Sequence, residues 1–286
     1  MADRPVERKR GTLRLRVRRT EWLTPHMIRV VLGGDDMARF ADNGCTDKYV
    51  KLVFLRPDVD YPEPVDLDVF RKTLPREQWP VTRTYTLRYY DEAAAELAID
   101  FVTHGDEGIA AVWAMAAQPG DELIFRGPGG AYAPSPAADW HLLAGDESAI
   151  PAIGAALEAL PVGAKAKVFL QVAGPDEMQK LPSVADVDIT WLLRSDHESD
   201  AAADDALVDA VRSLEFPEGA VQVFVHGEAG FVAGLRRHLG TDRAVPRDML
   251  SISGYWRRGK NEDGWQAEKA ETRKQEEATA KGNSTP

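Results

Sequence analysis

The sequence predicts two domains of different class: an antiparallel β-barrel over residues 1–133, then a parallel α/β sheet over 134–258. A charged helix and disordered tail are expected from 259 to 286. Three observations carry this. Up to about residue 133 the chain reads as many short strands with turn punctuation and one short helix. After Pro134 and Pro136 strands and helices alternate, the βαβ rhythm that sets helices on both faces of a parallel sheet. Beyond Gly259 the composition turns to Glu, Lys, Gln and Ala, which describes a solvated helix fraying into a tail.

Taken in order, Leu13, Leu15 and Val17 alternate with Arg14, Arg16 and Arg18, giving a strand one buried and one wet face. That alternation makes these arginines the outside of a strand rather than a nucleic-acid arm. Residues 26–32 and 49–55 are further strands, the first closed by a Gly33-Gly34 turn. Residues 56–80 hold five prolines and several acids and read as a long surface loop. Strands follow over 82–90 and 96–103, then a short alanine-rich helix over 108–117 and a strand over 121–126. Gly127-Pro128-Gly129-Gly130 matches neither a Walker loop nor a Gly-x-Gly-x-x-Gly fingerprint and reads as the interdomain linker. In the second domain, strands over 140–144, 167–173, 188–193 and 221–225 alternate with helices over 149–160, 204–213 and 229–239. Ligands of such sheets bind outside the carboxyl ends of the strands.

The bulk composition excludes several classes. A formal charge of −11 leaves no global positive field for nucleic acid, although a local basic pocket remains open. Cys45 is the one cysteine, so no intramolecular disulfide and no cysteine-based metal site is expected; no metal-ligand cluster is visible. The polar first ten residues lack an apolar signal core, and no run of about 18 apolar residues occurs. A cytoplasmic monomer without stable membrane insertion is the expectation.

The chemistry centres on Arg83-Thr84-Tyr85-Thr86. On a strand Arg83 and Tyr85 share a face about 7 Å apart. A flavin dinucleotide needs such a pair: a guanidinium for its pyrophosphate and an aromatic face for its ring. An exposed charge beside a packed aromatic is the alternative. Three further stretches follow in order: Asp100 to Gly108 (DFVTHGDEG), Leu143 to Ala152 (LAGDESAIPA) and Gly254-Tyr255-Trp256-Arg257-Arg258-Gly259.

Together these stretches resemble the siderophore-interacting protein family, the flavin-dependent ferric-siderophore reductases, from about residue 10 to 260. The resemblance implies an FAD-binding barrel and a ferredoxin-reductase-like domain for NADPH or NADH. The implied reaction passes hydride from nicotinamide to FAD and then single electrons to chelated Fe(III). The Fe(II) product is held more weakly by oxygen cages and is released in the cytoplasm. The implied substrate is a ferric hydroxamate or catecholate siderophore.

Residue by residue, the resemblance gives Arg83 the pyrophosphate, stacks Tyr85 on the isoalloxazine and sets Thr86 near flavin N5. His104 and Gly105 run along the ribityl and phosphates, unless His104 is simply a surface residue. Gly108 and Ala110-Ala111 open the short helix, whose free N–H groups suit a phosphate. Ala111 stands where the family commonly has serine, which leaves that contact to backbone N–H groups. Tyr132 could pack on adenine.

In the second domain the turn Gly145-Asp146-Glu147-Ser148 admits a dinucleotide, though helix capping alone accounts for its residues. The resemblance puts His226-Gly227-Glu228 beside the nicotinamide. Arg194 either pairs with a 2′-phosphate or is a surface arginine, and Trp256 either shields a flavin edge or is structural. For an anionic chelate a globally acidic protein must focus positive charge locally. Of Lys48, Lys51, Arg126, Arg257 and Arg258, the favoured set is Lys51, Arg126 and Arg257, with scattered solvated charges as the alternative. Two other functions stay open: an NAD(P)H-flavin reductase with another electron acceptor, and a non-catalytic siderophore-binding protein.

Overall fold

The computed structural model describes residues 11–105, 108–262, 264, 265, 268, 269 and 271. The first ten residues, Asp106 and Glu107, and the tail from residue 272 lie outside the described residues, and so does the expected fraying of that tail. The chain divides into two compact units. One comprises Met1–Ser135, Pro151–Gly163 and Asp176–Ala185; the other comprises Pro136–Ile150, Ala164–Pro175 and Asp186–Pro286. No helix among the described residues is long and apolar enough to cross a membrane.

The first unit holds β1 (Leu13–Thr24), β2 (Met27–Gly33), β3 (Tyr49–Phe54), α1 (Leu67–Thr73), β4 (Val81–Asp91), β5 (Glu96–Val102), α2 (Ala110–Ala116) and β6 (Glu122–Gly129). Its six strands close into an antiparallel barrel in the order β1-β2-β5-β4-β3-β6. Closure removes exposed strand edges. The alternation of β1 works as expected: Leu13, Leu15 and Val17 are buried among Val30, Leu32, Val50, Leu52, Ile99 and Phe125, while Arg14, Arg16 and Arg18 face out. Each fully buried aliphatic side chain contributes roughly 1.5–3 kcal/mol relative to exposure. Within this unit Arg88 on β4 is buried and forks onto Glu158 at 2.6 and 2.9 Å.

Two segments differ from expectation. Residues 56–80 are not a bare loop, because they carry α1 and a 3-10 turn. Asp66 caps α1 by accepting the N–H groups of Asp68 and Val69. Val65, Leu67 and Phe70 cover Val53 and Ile124 in a satellite core on the outside of β3 and β6. A seven-residue helix among prolines offers too short a period to read from sequence. Residues 127–129, read as linker, belong to β6, and Gly129 pairs with Tyr49 of β3. A Cβ on Gly127, whose φ is +149°, would sit 3.0 Å from the Tyr49 carbonyl oxygen. Glycine lets the two backbones approach that closely.

The second unit carries β7 (Trp140–Gly145), β8 (Lys165–Val172), β9 (Asp186–Leu193), α4 (Asp200–Arg212), β10 (Val221–Glu228), α5 (Ala229–Arg237) and β11 (Leu250–Trp256). A further helix, α3 (Ile150–Ala159), follows β7. The sheet is parallel, ordered β11-β10-β7-β8-β9. Leu207, Val208 and Val211 of α4 join Phe231, Val232 and Leu235 of α5 on one face. They cover Trp140, Leu142, Val221, Val223 and Val225. The other face is buried too, with Leu143 and Phe224 at most 1% exposed. Strand β11 goes unseen in sequence because serines break its apolar run and it lies half-buried at the sheet edge.

Candidate functional site

In the first unit the register of β3 against β4 sorts the central motif into two faces. Tyr85 lies opposite Val50 and Arg83 opposite Leu52, both partners being core residues. Arg83 and Tyr85 therefore share the inward-turned side of β4. Tyr85 meets Phe101 at a centroid distance of 4.5 Å, and Phe101 meets Trp113 of α2 at 6.0 Å. An aromatic tier thus runs from β4 to α2. His104 and Gly105 lie exposed in the connection leading toward α2. Gly105 (φ +67°) and Gly108 (φ +84°) adopt left-handed backbone, and among the described residues nothing lies within 4 Å of a Cβ built on either. The methyls of Ala110 and Ala111 are buried, and the N-cap residue of α2, Ile109, makes no side-chain capping hydrogen bond. A guanidinium, an aromatic tier and backbone N–H groups beside open glycines form a donor set that fits a flavin dinucleotide.

The opposite side of β4 presents different chemistry. Thr86 pairs with Tyr49, and Thr84 with Lys51. Lys51 also stands directly across from Arg126 of β6, so two of the expected substrate cations are brought together. Arg126 donates to Asp68 of α1 at 3.0 Å, a partner that sequence did not suggest. Lys48 is spent on Asp42 and the Cys45 carbonyl. Tyr132, suggested for adenine, is buried at 3% exposure, and its N–H donates to Asp47. Packing inside the protein is what it does here.

In the second unit the sheet order changes direction between β7 and β10, the switch point at which ligands of open α/β sheets bind. Asp146 follows β7 there, 1% exposed. Its Oδ1 accepts the Ser148 N–H at 2.9 Å and the Ser148 hydroxyl at 2.5 Å. Its Oδ2 accepts the Glu228 N–H at 2.8 Å and the Trp256 indole N–H at 2.8 Å. One carboxylate therefore ties the ends of β7, β10 and β11 together. Burial, reinforced by the neighbouring Glu147 charge, pushes its pKa up to about 6 against the pull of those donors. A Cβ on Gly227 (φ +140°) would come within 2.6 Å of the same carboxylate.

The neighbours of Asp146 have separate tasks. Glu147 accepts the Ala173 N–H at 2.7 Å and a forked pair from Arg194. Arg194, suggested for a 2′-phosphate, is thus engaged by Glu147. Glu228 caps α5 through the Gly230 N–H and accepts the Arg258 N–H at 3.1 Å. His226 lies within the end of β10 rather than after it. Its ring stacks on Phe224 at 4.0 Å and meets Tyr255 edge-on at 4.8 Å. Its Nε2 contacts the Ser251 hydroxyl at 3.0 Å, while its buried Nδ1 has no hydrogen-bond partner among the described residues. Burial lowers the His226 pKa to about 3, so the ring is neutral near pH 7. Trp256 is structural through its indole N–H yet 37% exposed. Arg258 pairs with Asp204 and Asp200. Arg257 contacts Glu268 at 3.7 Å and lies over the Trp265 ring. Among the described residues no group of three or more His, Cys, Asp or Glu side chains is placed to hold a metal ion.

Two family models match the chain in succession. Residues 16–132 match the model of the siderophore-interacting FAD-binding domain, and residues 138–259 match that of the siderophore-interacting protein. The ferric vibriobactin reductase ViuB of Vibrio cholerae is 34% identical over 253 residues, spanning 88% of this chain and 91% of that protein. The NADPH-dependent ferric-chelate reductase of Escherichia coli is 32% identical over 257 residues, with 87% and 96% covered. The crystal structure of a siderophore utilization protein from T. fusca superposes with a TM-score of 0.75 at 36% identity, covering 87% of this chain and 94% of that one.

Proposed function

The chain belongs to the siderophore-interacting protein family, and from that premise we propose that it is an FAD-dependent, NAD(P)H-driven reductase of ferric siderophores. The observation that carries this reading is the two-sidedness of β4. One face offers Arg83 and Tyr85 beside the aromatic tier, and the other lies against Lys51 and Arg126. A single strand thus carries flavin-type donors on one side and a cation pair suited to an anionic chelate on the other.

In this reading Arg83 neutralises pyrophosphate charge, and Tyr85 offers its ring to the isoalloxazine. Thr86 supplies a small hydroxyl, while His104, Gly105, Gly108, Ala110 and Ala111 line the ribityl and phosphate run. Bound FAD supplies the exchange between a two-electron nicotinamide donor and a one-electron iron acceptor. Gly145 to Ser148, His226 to Glu228 and Trp256 frame the nicotinamide dinucleotide at the switch point. There Asp146 fixes their relative positions and the neutral His226 ring adds no charge. Lys51 and Arg126 concentrate positive charge for the chelate on the barrel. The reaction belongs in the cytoplasm, where the weaker hold of oxygen ligands on Fe(II) frees the metal.

The test is anaerobic titration of the purified, FAD-loaded protein with NADPH and, separately, NADH, followed by ferric hydroxamates and ferric catecholates. Loss of flavin absorbance with nicotinamide and its return with ferric chelate, accompanied by Fe(II) capture, is the expected result. A protein that cannot be loaded with FAD would refute the reading. So would a reduced protein that no ferric chelate reoxidises.

A further inference from the structure

The cation pair on the outer barrel face is larger than two residues, and it contains its own counter-ion. Lys51 and Arg126 are Cα partners across β3 and β6. Like charges placed directly opposite repel. Helix α1 lies over these strands, pinned by Phe70 and Leu67 in the satellite core, and brings Asp68 to Arg126 at 3.0 Å. Arg71 comes to 3.9 Å of the same Asp68 oxygen, and Lys72 adds a third positive neighbour that helps hold this carboxyl below its ordinary range. Asp66, the nearest acid in sequence, is spent capping α1. Arg71, Lys72 and Arg126 therefore cluster around the Asp68 carboxylate, with Lys51 across the strand pair from Arg126. The Asp68 side chain is 56% exposed, and ion pairs so open to water are worth little.

We propose that Asp68 is a specificity-determining residue of the chelate site, an internal carboxylate that occupies Arg126 until a strongly anionic ferric chelate displaces it. The proposal rests on the reductase reading and narrows its substrate class. Iron(III) held by three catecholates is a trianion, whereas iron(III) held by three hydroxamates is neutral. Only the trianion gains by taking Arg126 from Asp68. The neutral chelate meets a cluster whose charge matters little to it. Arg71 and Lys72 on α1 then extend the attraction beyond the β-strand pair.

The expected size follows from Coulomb's law. A unit charge about 8 Å from a trianion in water changes affinity by about tenfold at low salt, and by nothing for a neutral ligand. Asp68→Asn should therefore tighten binding of the trianionic class about tenfold. Arg71→Ala, which removes one cation, should weaken it by a comparable factor, and both effects should shrink as ionic strength rises. Calorimetric titration of the oxidised, FAD-loaded protein with the redox-inert gallium(III) tris-catecholate and tris-hydroxamate chelates reads this without turnover. Thermal melts check that each variant is folded. Selective tightening toward the tris-catecholate supports the assignment. Unchanged binding of both chelates, or an equal change in both, overturns it. Those outcomes leave the reductase reading standing if the wild-type protein still reduces the ferric chelates. Wild-type protein that binds the gallium chelates selectively but never reduces iron would defeat the reductase reading instead.

Discussion

Replacing Asp146 by asparagine separates two opposing energies that meet in one side chain. Its carboxyl pKa is raised from 3.8 to about 6 by burial. A carboxyl whose folded pKa lies above its unfolded value contributes stability that is fully present below pH ~3.8 and is lost as pH rises through about 6. At 1.36 kcal/mol per unit the whole effect is ~3 kcal/mol, of which ~1.5 kcal/mol falls between pH 5 and 8. Asparagine removes the charge but creates a second problem. Whichever way the amide turns, its NH2 group faces either the Ser148 N–H or the N–H groups of Glu228 and Trp256. Leaving one buried donor unmet costs ~1–3 kcal/mol. At pH 8 the ~3 kcal/mol relief and the ~1–3 kcal/mol loss oppose each other, so stability at a single pH is uninformative and the slope is the readout. Urea unfolding of the FAD-loaded wild type and of Asp146→Asn at intervals from pH 5 to 8 should show the wild type losing ~1.5 kcal/mol relative to the variant. Parallel curves would refute the assignment of a raised pKa to this carboxyl.

Three other substitutions probe different parts of the molecule. Phe70→Ala empties the centre of the satellite core and should cost ~3–5 kcal/mol, read as a lower Tm with earlier proteolysis within 56–80. Gly129→Ala sets a Cβ 2.4 Å from the Tyr49 ring. It should destabilise by ~1–3 kcal/mol, and a double-mutant cycle with Tyr49→Ala should recover most of that loss if the ring is the obstacle. Arg83→Ala should weaken FAD binding about 10- to 100-fold, the range for losing a charge-assisted hydrogen bond of ~1.5–3 kcal/mol. Equilibrium dialysis measures this, and unchanged affinity would remove Arg83 from the flavin site.

Much of the fold is legible because it follows from local periodicity. The arginine-leucine alternation of β1 needs only its own residues to declare which face is buried. The βαβ alternation likewise announces a parallel sheet before any contact is known. What escaped is what depends on partners. Helix α1 is seven residues long and stable only because Val53 and Ile124 turn outward to meet it. Strand β11 is half-polar and forms because β10 offers it an edge. Residues 127–129 read as linker because glycine and proline usually break strands. Here Gly129 continues one by letting the Tyr49 ring lie across it.

The candidate site divides along the same line, with a consequence for what can be trusted from sequence. That Arg83 and Tyr85 share a face was readable, since alternation on one strand is enough. The part played by Asp146 was not. Its partners lie 82 and 110 residues away, and a turn aspartate before a helix already has a sufficient local explanation as a cap. Arg194 shows the reverse error. An unassigned cation after a strand invites a phosphate, yet Glu147, 47 residues earlier, has already engaged it. Arg126 stands between the two, singled out in sequence as a substrate cation but with a counter-ion 58 residues away that nothing local would suggest. Charge in a folded chain is rarely free. A basic residue proposed for a ligand should therefore be weighed by what it must release, and at Arg126 that is an exposed pair worth no more than ~1 kcal/mol. At Arg194 it is a forked and largely buried pair, whose breaking would leave Glu147 uncompensated. The first pair is the easier of the two to exchange for a ligand, and that difference is why we propose Arg126 for the chelate and do not propose Arg194 for the nicotinamide phosphate.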